Sequence, residues 1–202
     1  MSQCLHQFGA HRNVLGVLQS LFACLQSLVG LAHEHGWQAP TPCSEWCVRD
    51  LVNHITAELL WVPVYFNAED PVRSGRRFMG DVLGVNPSGM FDLAVSNALN
   101  RFSGRGALDQ TVSLSYGPRD GLGYARELGA DLTVHWWDLA RAVDSPKSLP
   151  QTVVNAALAE FRSYTNLAAT GMFASPLPVL PDTSPLDELV SLAGRDPCWR
   201  LD

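Results

Sequence analysis

The sequence predicts an all-α protein, an up-and-down helical bundle with a short β element and a proline-rich C-terminal tail. Three observations support this fold class. Several long segments place apolar residues three and four positions apart, which is the spacing of one buried helix face. A single short segment alternates apolar and polar residues as a strand does. Prolines recur between residues 176 and 197, where they exclude a long helix.

Composition and charge limit the classes of function. The 202 residues are 47% hydrophobic and only 17% charged, which suits one well-buried domain spanning residues 1–202. The net charge is -6 and the basic residues are scattered, so a nucleic-acid-binding surface is not expected. The five cysteines have no regular spacing, which favours reduced thiols and a cytoplasmic protein.

The first helix is predicted from about residue 11 to about residue 35, ending at Gly36. Its apolar positions have helical spacing: Leu18, Leu21, Phe22, Leu25, Leu28, Val29 and Ala32. Residues 14–32 are apolar enough to resemble a signal peptide or a membrane span, but glutamines and serines interrupt them. We therefore expect a core helix and no membrane insertion, with an apolar face that could also form a homodimer.

The remaining elements follow in order. A second helix begins near Val48, and Pro63 bends or ends it. Residues 67–88 form a long loop, which suggests a lid over a site. The later predicted elements are a helix at Ser88–Phe102, a strand at Thr111–Tyr116, helices at about Leu122–Val143 and Pro150–Thr170, and a short helix at Pro185–Leu192.

His54, Asp131 and His135 are the candidate metal ligands. Asp131 and His135 are four residues apart, so their side chains leave one helix face together. His54 lies among apolar residues of the second helix and could supply the third ligand. Two imidazoles and one carboxylate leave an open position, as in catalytic metal sites, with zinc as the default and nickel, iron or manganese as alternatives. The competing interpretation is a core histidine bonded to Asp131, with His54 only packing.

Two motifs resemble a known family. The segments TPCSEW (41–46) and VRDLVNH (48–54), followed by ADLTVHWWDLARA (130–142), are similar to the actinobacterial DinB-like, mycothiol-dependent maleylpyruvate isomerase-type metal-binding proteins. The resemblance covers roughly residues 10–198. It implies a DinB-like four-helix bundle that holds a divalent metal through His54, Asp131 and His135, with mycothiol as thiol cosubstrate.

The chain departs from the family pattern in two respects. Asp131 stands where DinB proteins have His and the isomerase has Glu, so a shorter carboxylate would reach the metal. The isomerase also carries a separate carboxy-terminal domain, for which 202 residues leave no room. Maleylpyruvate isomerisation itself is therefore not expected.

Other residues near the proposed ligands have open roles. Glu58, four residues after His54, could be a fourth ligand, a partner that orients His54, a general base, or a solvated carboxylate. Asp138 could accept the free ring N–H of His135, or pair with Arg141 at the surface. Cys43 and Cys47 lack the CxxC spacing of a redox or zinc motif. Three tryptophans are candidates for either the pocket or helix packing: Trp61, Trp136 and Trp137.

The favoured function is a metal-dependent thiol enzyme, in which the thiolate attacks a small electrophile in S-transfer or a thiol-assisted isomerisation. Glu58 would be its proton acceptor. Two alternatives stay open: a non-catalytic bundle that binds a metal or small molecule, and a metal-dependent hydrolase.

Overall fold

The computed structural model describes residues 2–67, 77–164 and 173–201. Within those ranges the chain forms six α-helices, one 3-10 helix (Ala107–Asp109) and one small hairpin. The helices are α1 (Ser2–His35), α2 (Val48–Phe66), α3 (Pro87–Phe102), α4 (Gly121–Ala142), α5 (Gln151–Ser163) and α6 (Pro185–Leu192). The strands are β1 (Thr111–Leu114) and β2 (Gly117–Asp120). The predicted all-α class with a short β element is confirmed.

Helices α1 to α4 surround one core and form the DinB-like bundle. Both α1 and α2 pack against α3 and α4, so the metal-ligand candidates on α2 and α4 belong to facing helices. Helix α5 covers α4 and α1 from outside, and α6 packs on α5. The site thus lies between two helices whose positions are fixed by the common core.

The apolar stripe of α1 is buried as predicted, because Leu18, Leu25 and Ala32 are each 0% exposed. The helix begins at Ser2, well before the predicted residue 11. From Gly9 to His35 it is also long and apolar enough to cross a membrane. Its buried stripe packs against the other helices, which favours a core helix over a membrane span.

Helix α2 begins at a capping box and passes through its proline. Cys47 is the N-cap residue, and its backbone N–H donates to Asp50 at 3.0 Å. Pro63 does not end the helix, which continues to Phe66. Asn67 closes it by donating its backbone N–H to the Pro63 carbonyl. The full helix is what carries His54 and Glu58 into the bundle.

Other boundaries differ from the sequence prediction. The predicted strand at 111–116 is a hairpin that pairs Thr111 with Asp120 and Leu114 with Gly117. Helix α5 ends at Ser163, since Tyr164 is extended, and residues 165–170 of the predicted helix lie outside the described residues.

Part of the predicted lid, residues 68–76, also lies outside them. Its described part is tied to α2. Asn53 accepts a hydrogen bond from Val82 N at 2.8 Å, and Arg49 pairs with Asp81 at 2.7 Å. The loop is therefore held beside the face of α2 that carries His54.

We expect Leu25→Ala to lower the free energy of unfolding by about 2–5 kcal/mol, since the removed atoms leave a cavity in the core. Leu25 is 0% exposed on α1. The control is Leu93→Ala on α3, where Leu93 is 52% exposed and the loss should be under about 1 kcal/mol. Urea denaturation followed by circular dichroism measures both, and equal losses would contradict the assignment of α1 to the core.

Candidate metal centre

The fold brings the three predicted ligands together. His54 on α2 meets Asp131 and His135 on α4, and one donor atom from each lies within 4.8 Å of the other two. The two imidazole rings are 4.9 Å apart between centroids, and His135 Nε2 is 3.6 Å from Asp131 Oδ1. Two nitrogens and one oxygen at this spacing match the donor set of a divalent transition-metal site.

His135 lies between two carboxylates. Its Nε2 faces Asp131, and its Nδ1–H donates to Asp138 Oδ2 at 3.2 Å. Burial lowers the pKa of His135, but the two carboxylates outweigh burial and raise the pKa above its ordinary value. The negative charges around the ring therefore stabilise a positive charge, and a metal ion needs the same negative surroundings.

Asp138 orients the His135 ring, which is the first of the two roles that the sequence analysis gave it. Its side chain is 0% exposed, so it is no surface residue. Burial raises the pKa of Asp138, but the hydrogen bond from His135 and the charge of Arg195 hold the pKa below its ordinary value. The predicted pairing with Arg141 is wrong, because the Arg141 guanidinium lies over the Trp137 ring.

His54 is neutral at physiological pH. Burial and the neighbouring His135 lower its pKa to about 4. The Trp46 indole covers it, with ring centroids 4.7 Å apart, and also lies 5.9 Å from His135. The His54 ring thus offers a free lone pair within an aromatic wall.

Glu58 lines the same cavity as the three candidate ligands. Burial and the charge of Asp131 raise its pKa to about 7. It is partly buried, so the carboxyl group is not fully solvated. A carboxyl group with this pKa can both accept and return a proton near neutral pH.

A cavity of about 610 Å³ opens onto the candidate ligands, with Cys43, Glu58 and Arg195 in its wall. A second cavity of about 610 Å³ lies on the other side of Trp46 and His54, between α2 and the loop containing Phe78. A groove of about 680 Å³ between α1, α4 and α5 is larger, but its described lining has no histidine or cysteine. We therefore place the functional site at the first cavity.

Sequence reasoning set Cys43 aside for its lack of CxxC spacing and gave Arg195 no role in the site. The Cys43 thiol donates to Asp138 Oδ2 at 3.2 Å, and Arg195 Nη2 donates to Cys43 Sγ at 3.0 Å. Arg195 also donates to both Asp138 oxygens, at 3.3 and 3.2 Å. Motif spacing could not reveal them, because Cys43 and Arg195 are 95 and 57 positions from Asp138 and 152 positions from each other, and only the fold brings them together.

The loop before α2 places Cys43 and Trp46. Thr41 is 3% exposed, and its hydroxyl donates to the Trp46 carbonyl at 2.9 Å while accepting from Cys43 N at 3.1 Å. Trp46 N donates to the Cys43 carbonyl at 2.8 Å and completes a tight turn. The turn aims both side chains toward His54 and His135.

The end of α6 places Arg195. Gly194 N donates to Ser191 O at 3.0 Å, and Arg195 N donates to Val190 O at 2.8 Å, which together form a Schellman motif. Gly194 has φ +75, and a Cβ there would lie 2.7 Å from Ala174 Cβ. Only glycine fits both the conformation and the space, so Gly194 fixes where the Arg195 side chain leaves the backbone.

The three tryptophans predicted for either the pocket or helix packing lie in different surroundings. Trp136 and Trp137 are each 2% exposed and belong to the core. Trp61 stacks on Tyr65 at 5.4 Å and meets Phe78 at 5.0 Å. The tryptophan at the candidate site is Trp46, which had appeared only as part of a family motif.

The fold and the site define a class, a DinB-like helical bundle with a histidine and carboxylate cluster between two of its helices. The sequence profile of the mycothiol maleylpyruvate isomerase N-terminal domain family matches residues 18–140, more than half of the chain. The chain belongs to this family.

Two mycobacterial proteins are similar to this chain. The uncharacterized proteins MT0763 and Rv0738, from the CDC 1551 / Oshkosh and H37Rv strains of Mycobacterium tuberculosis, are each 27% identical to this chain over 162 residues. The alignments cover 77% of this chain and 83% of each relative. No solved structure matches significantly.

We expect Gly194→Ala to lower the free energy of unfolding by about 1–3 kcal/mol, because the new Cβ meets Ala174 and the left-handed backbone is strained. The matched control is Gly30→Ala in α1, where nothing lies within 4 Å of the new Cβ. That change should stabilise the helix by about 0.5–1 kcal/mol. Urea denaturation tests both, and a neutral Gly194→Ala would contradict the described end of α6.

Proposed function

We propose that His54, Asp131 and His135 bind one divalent metal ion, with zinc as the first candidate. Nickel, iron and manganese fit the same nitrogen and oxygen donors. Three features support this proposal: the donor atoms lie within 4.8 Å, Asp138 orients the His135 ring, and His54 has a free lone pair. Asp131 is near enough to His135 to be a ligand despite its short side chain.

We further propose that the protein is a cytoplasmic, metal-dependent thiol enzyme, an S-transferase or isomerase acting on a small electrophile. The observation that carries this proposal is the cavity of about 610 Å³ that reaches the three candidate ligands. Family membership supports mycothiol as the thiol. The described cysteines other than Cys4 are free thiols, as expected in a reducing compartment.

The metal would lower the pKa of a coordinated thiol so that the thiolate forms at neutral pH. Glu58, in the cavity wall with the three candidate ligands, would take up the released proton. Trp46 would exclude water from the His54 side of the site. Asp138 would keep His135 Nε2 aimed at the metal position through its bond to Nδ1.

A metal-dependent hydrolase is the second candidate, because Glu58 could equally serve as the base for water. The non-catalytic binding module has less support. A site closed by a fourth protein ligand such as Glu58 would favour it, and the described three-residue group does not include Glu58.

Protein purified without a histidine tag should contain about one equivalent of divalent metal by elemental analysis. His54→Ala and His135→Ala should each reduce the metal to less than about a tenth of an equivalent, since two donors rarely retain a catalytic metal. His33→Ala, an exposed histidine on α1, is the control and should leave the content unchanged. If the native protein and all three variants contain the same amount of metal, the proposed ligand set is refuted.

Assays with a panel of electrophiles, with and without mycothiol, distinguish the two enzyme classes. We expect turnover that requires both the thiol and the metal, and a fall in kcat of about 100-fold or more in Glu58→Gln, from the loss of the base. Glu34→Gln, at the exposed end of α1, is the matched control. Turnover without added thiol would support the hydrolase instead.

A further inference from the structure

Two groups of possible metal ligands share His135. The first contains His54 and Asp131, and the second contains Cys43 and Asp138, each with its donor atoms within 4.8 Å. The two groups use different edges of the ring, because Nε2 faces Asp131 and Nδ1 faces Asp138. Thiolate is a strong ligand for zinc and cobalt, so donor chemistry alone does not select the first group.

The second group already holds a positive charge. Arg195 Nη2 is 3.0 Å from Cys43 Sγ and 3.2 Å from Asp138 Oδ2, while its Nε is 3.3 Å from Asp138 Oδ1. The Arg195 side chain is only 12% exposed, and a guanidinium remains charged in proteins. A metal ion at the same oxygens and sulfur would have to displace this cation.

Within the described part of the chain, the first group has no such occupant. Among the described residues, the ion pair of Asp131 is with His135, and no arginine or lysine contacts it. Both groups border the same cavity through Cys43, Asp131 and His135, so a metal entering it can reach either one. The difference between the groups is the guanidinium.

We propose that Arg195 is a positioning residue whose guanidinium occupies the Cys43–Asp138–His135 group and so confines the metal to His54, Asp131 and His135. This inference rests on the metal site of the proposed function. It also explains how a cavity proposed to bind a thiol cosubstrate can contain the Cys43 thiol of the protein itself. By binding Cys43 and Asp138, Arg195 keeps the Cys43 sulfur off the metal and leaves the open position to an external thiol.

Cobalt reports directly on sulfur ligation, because a cobalt-bound thiolate gives an intense near-ultraviolet charge-transfer band. We would titrate Co²⁺ into the metal-free full chain and into Arg195→Met, which removes the charge at similar length. The native protein should show visible cobalt bands without the sulfur band. Arg195→Met should gain the sulfur band, and the additional change Cys43→Ser should abolish it.

Arg195→Lys is the matched control, since it keeps a cation beside Asp138 and should show no sulfur band. Alkylation of Cys43, followed by mass spectrometry, gives a second measurement. Adding cobalt should change the alkylation rate of Cys43 in the native protein by less than about twofold. In Arg195→Met, cobalt should slow the alkylation at least about tenfold, because a metal-bound sulfur is protected. If Arg195→Met fails to fold by circular dichroism, Arg195→Gln replaces it.

The outcomes separate this inference from the metal site itself. Identical cobalt spectra of Arg195→Met and the native protein, with visible bands and no sulfur band in either, would overturn the role of Arg195 and leave the first group as a metal site. A sulfur band in the native protein that Cys43→Ser abolishes would overturn both the role of Arg195 and the proposed ligand set, because Cys43 would then be a ligand. If the native protein binds no cobalt while Arg195→Met binds it with a sulfur band, the exclusion of metal from the second group by Arg195 is supported and the proposed site in the first group is refuted.

Discussion

The candidate site depends on the placement of His135 between two carboxylates of its own helix. Asp131, one turn before it, faces Nε2, and Asp138, three residues after it, accepts from Nδ1. This arrangement fixes which ring edge faces His54 and the cavity. The hydrogen bond from His135 and the charge of Arg195, from the far end of the chain, together stabilise the buried Asp138 carboxylate. Helix α4, the loop before α2 and the end of α6 therefore meet around one imidazole ring.

The surrounding elements set the chemical character of the cavity. Trp46 covers His54, Glu58 has a pKa raised to about 7 by burial and Asp131, and Cys43 is bound by Arg195. A neutral imidazole can serve as a metal ligand, and a carboxyl group that titrates near neutrality can accept and return a proton beside it. Family membership and this chemistry are the support for the proposed thiol cosubstrate.

Local sequence patterns were sufficient for the helices and for part of the site. The spacing of Leu18, Leu25 and Ala32 predicted the buried face of α1, and the Asp131–His135 interval placed two candidate ligands on one face of α4. Element ends were less predictable, since Pro63 is accommodated within α2 and α5 ends at Ser163. Packing against neighbouring helices determines where a helix ends, and a local sequence pattern carries no information about that packing.

By itself, the sequence determined the all-α fold and the common helix face of Asp131 and His135, because helical periodicity and i,i+4 spacing are local properties. It offered His54 as a third candidate ligand through its apolar neighbours and the family resemblance. Only the tertiary structure showed that Cys43 and Arg195 join Asp138 and His135, and that Glu58 lies in a wall that raises its pKa. These contacts bring a loop, a helix and the C-terminal tail together across the chain. Their energies depend on burial and on opposing charges at distances of 3.0 to 3.3 Å, which no sequence interval specifies.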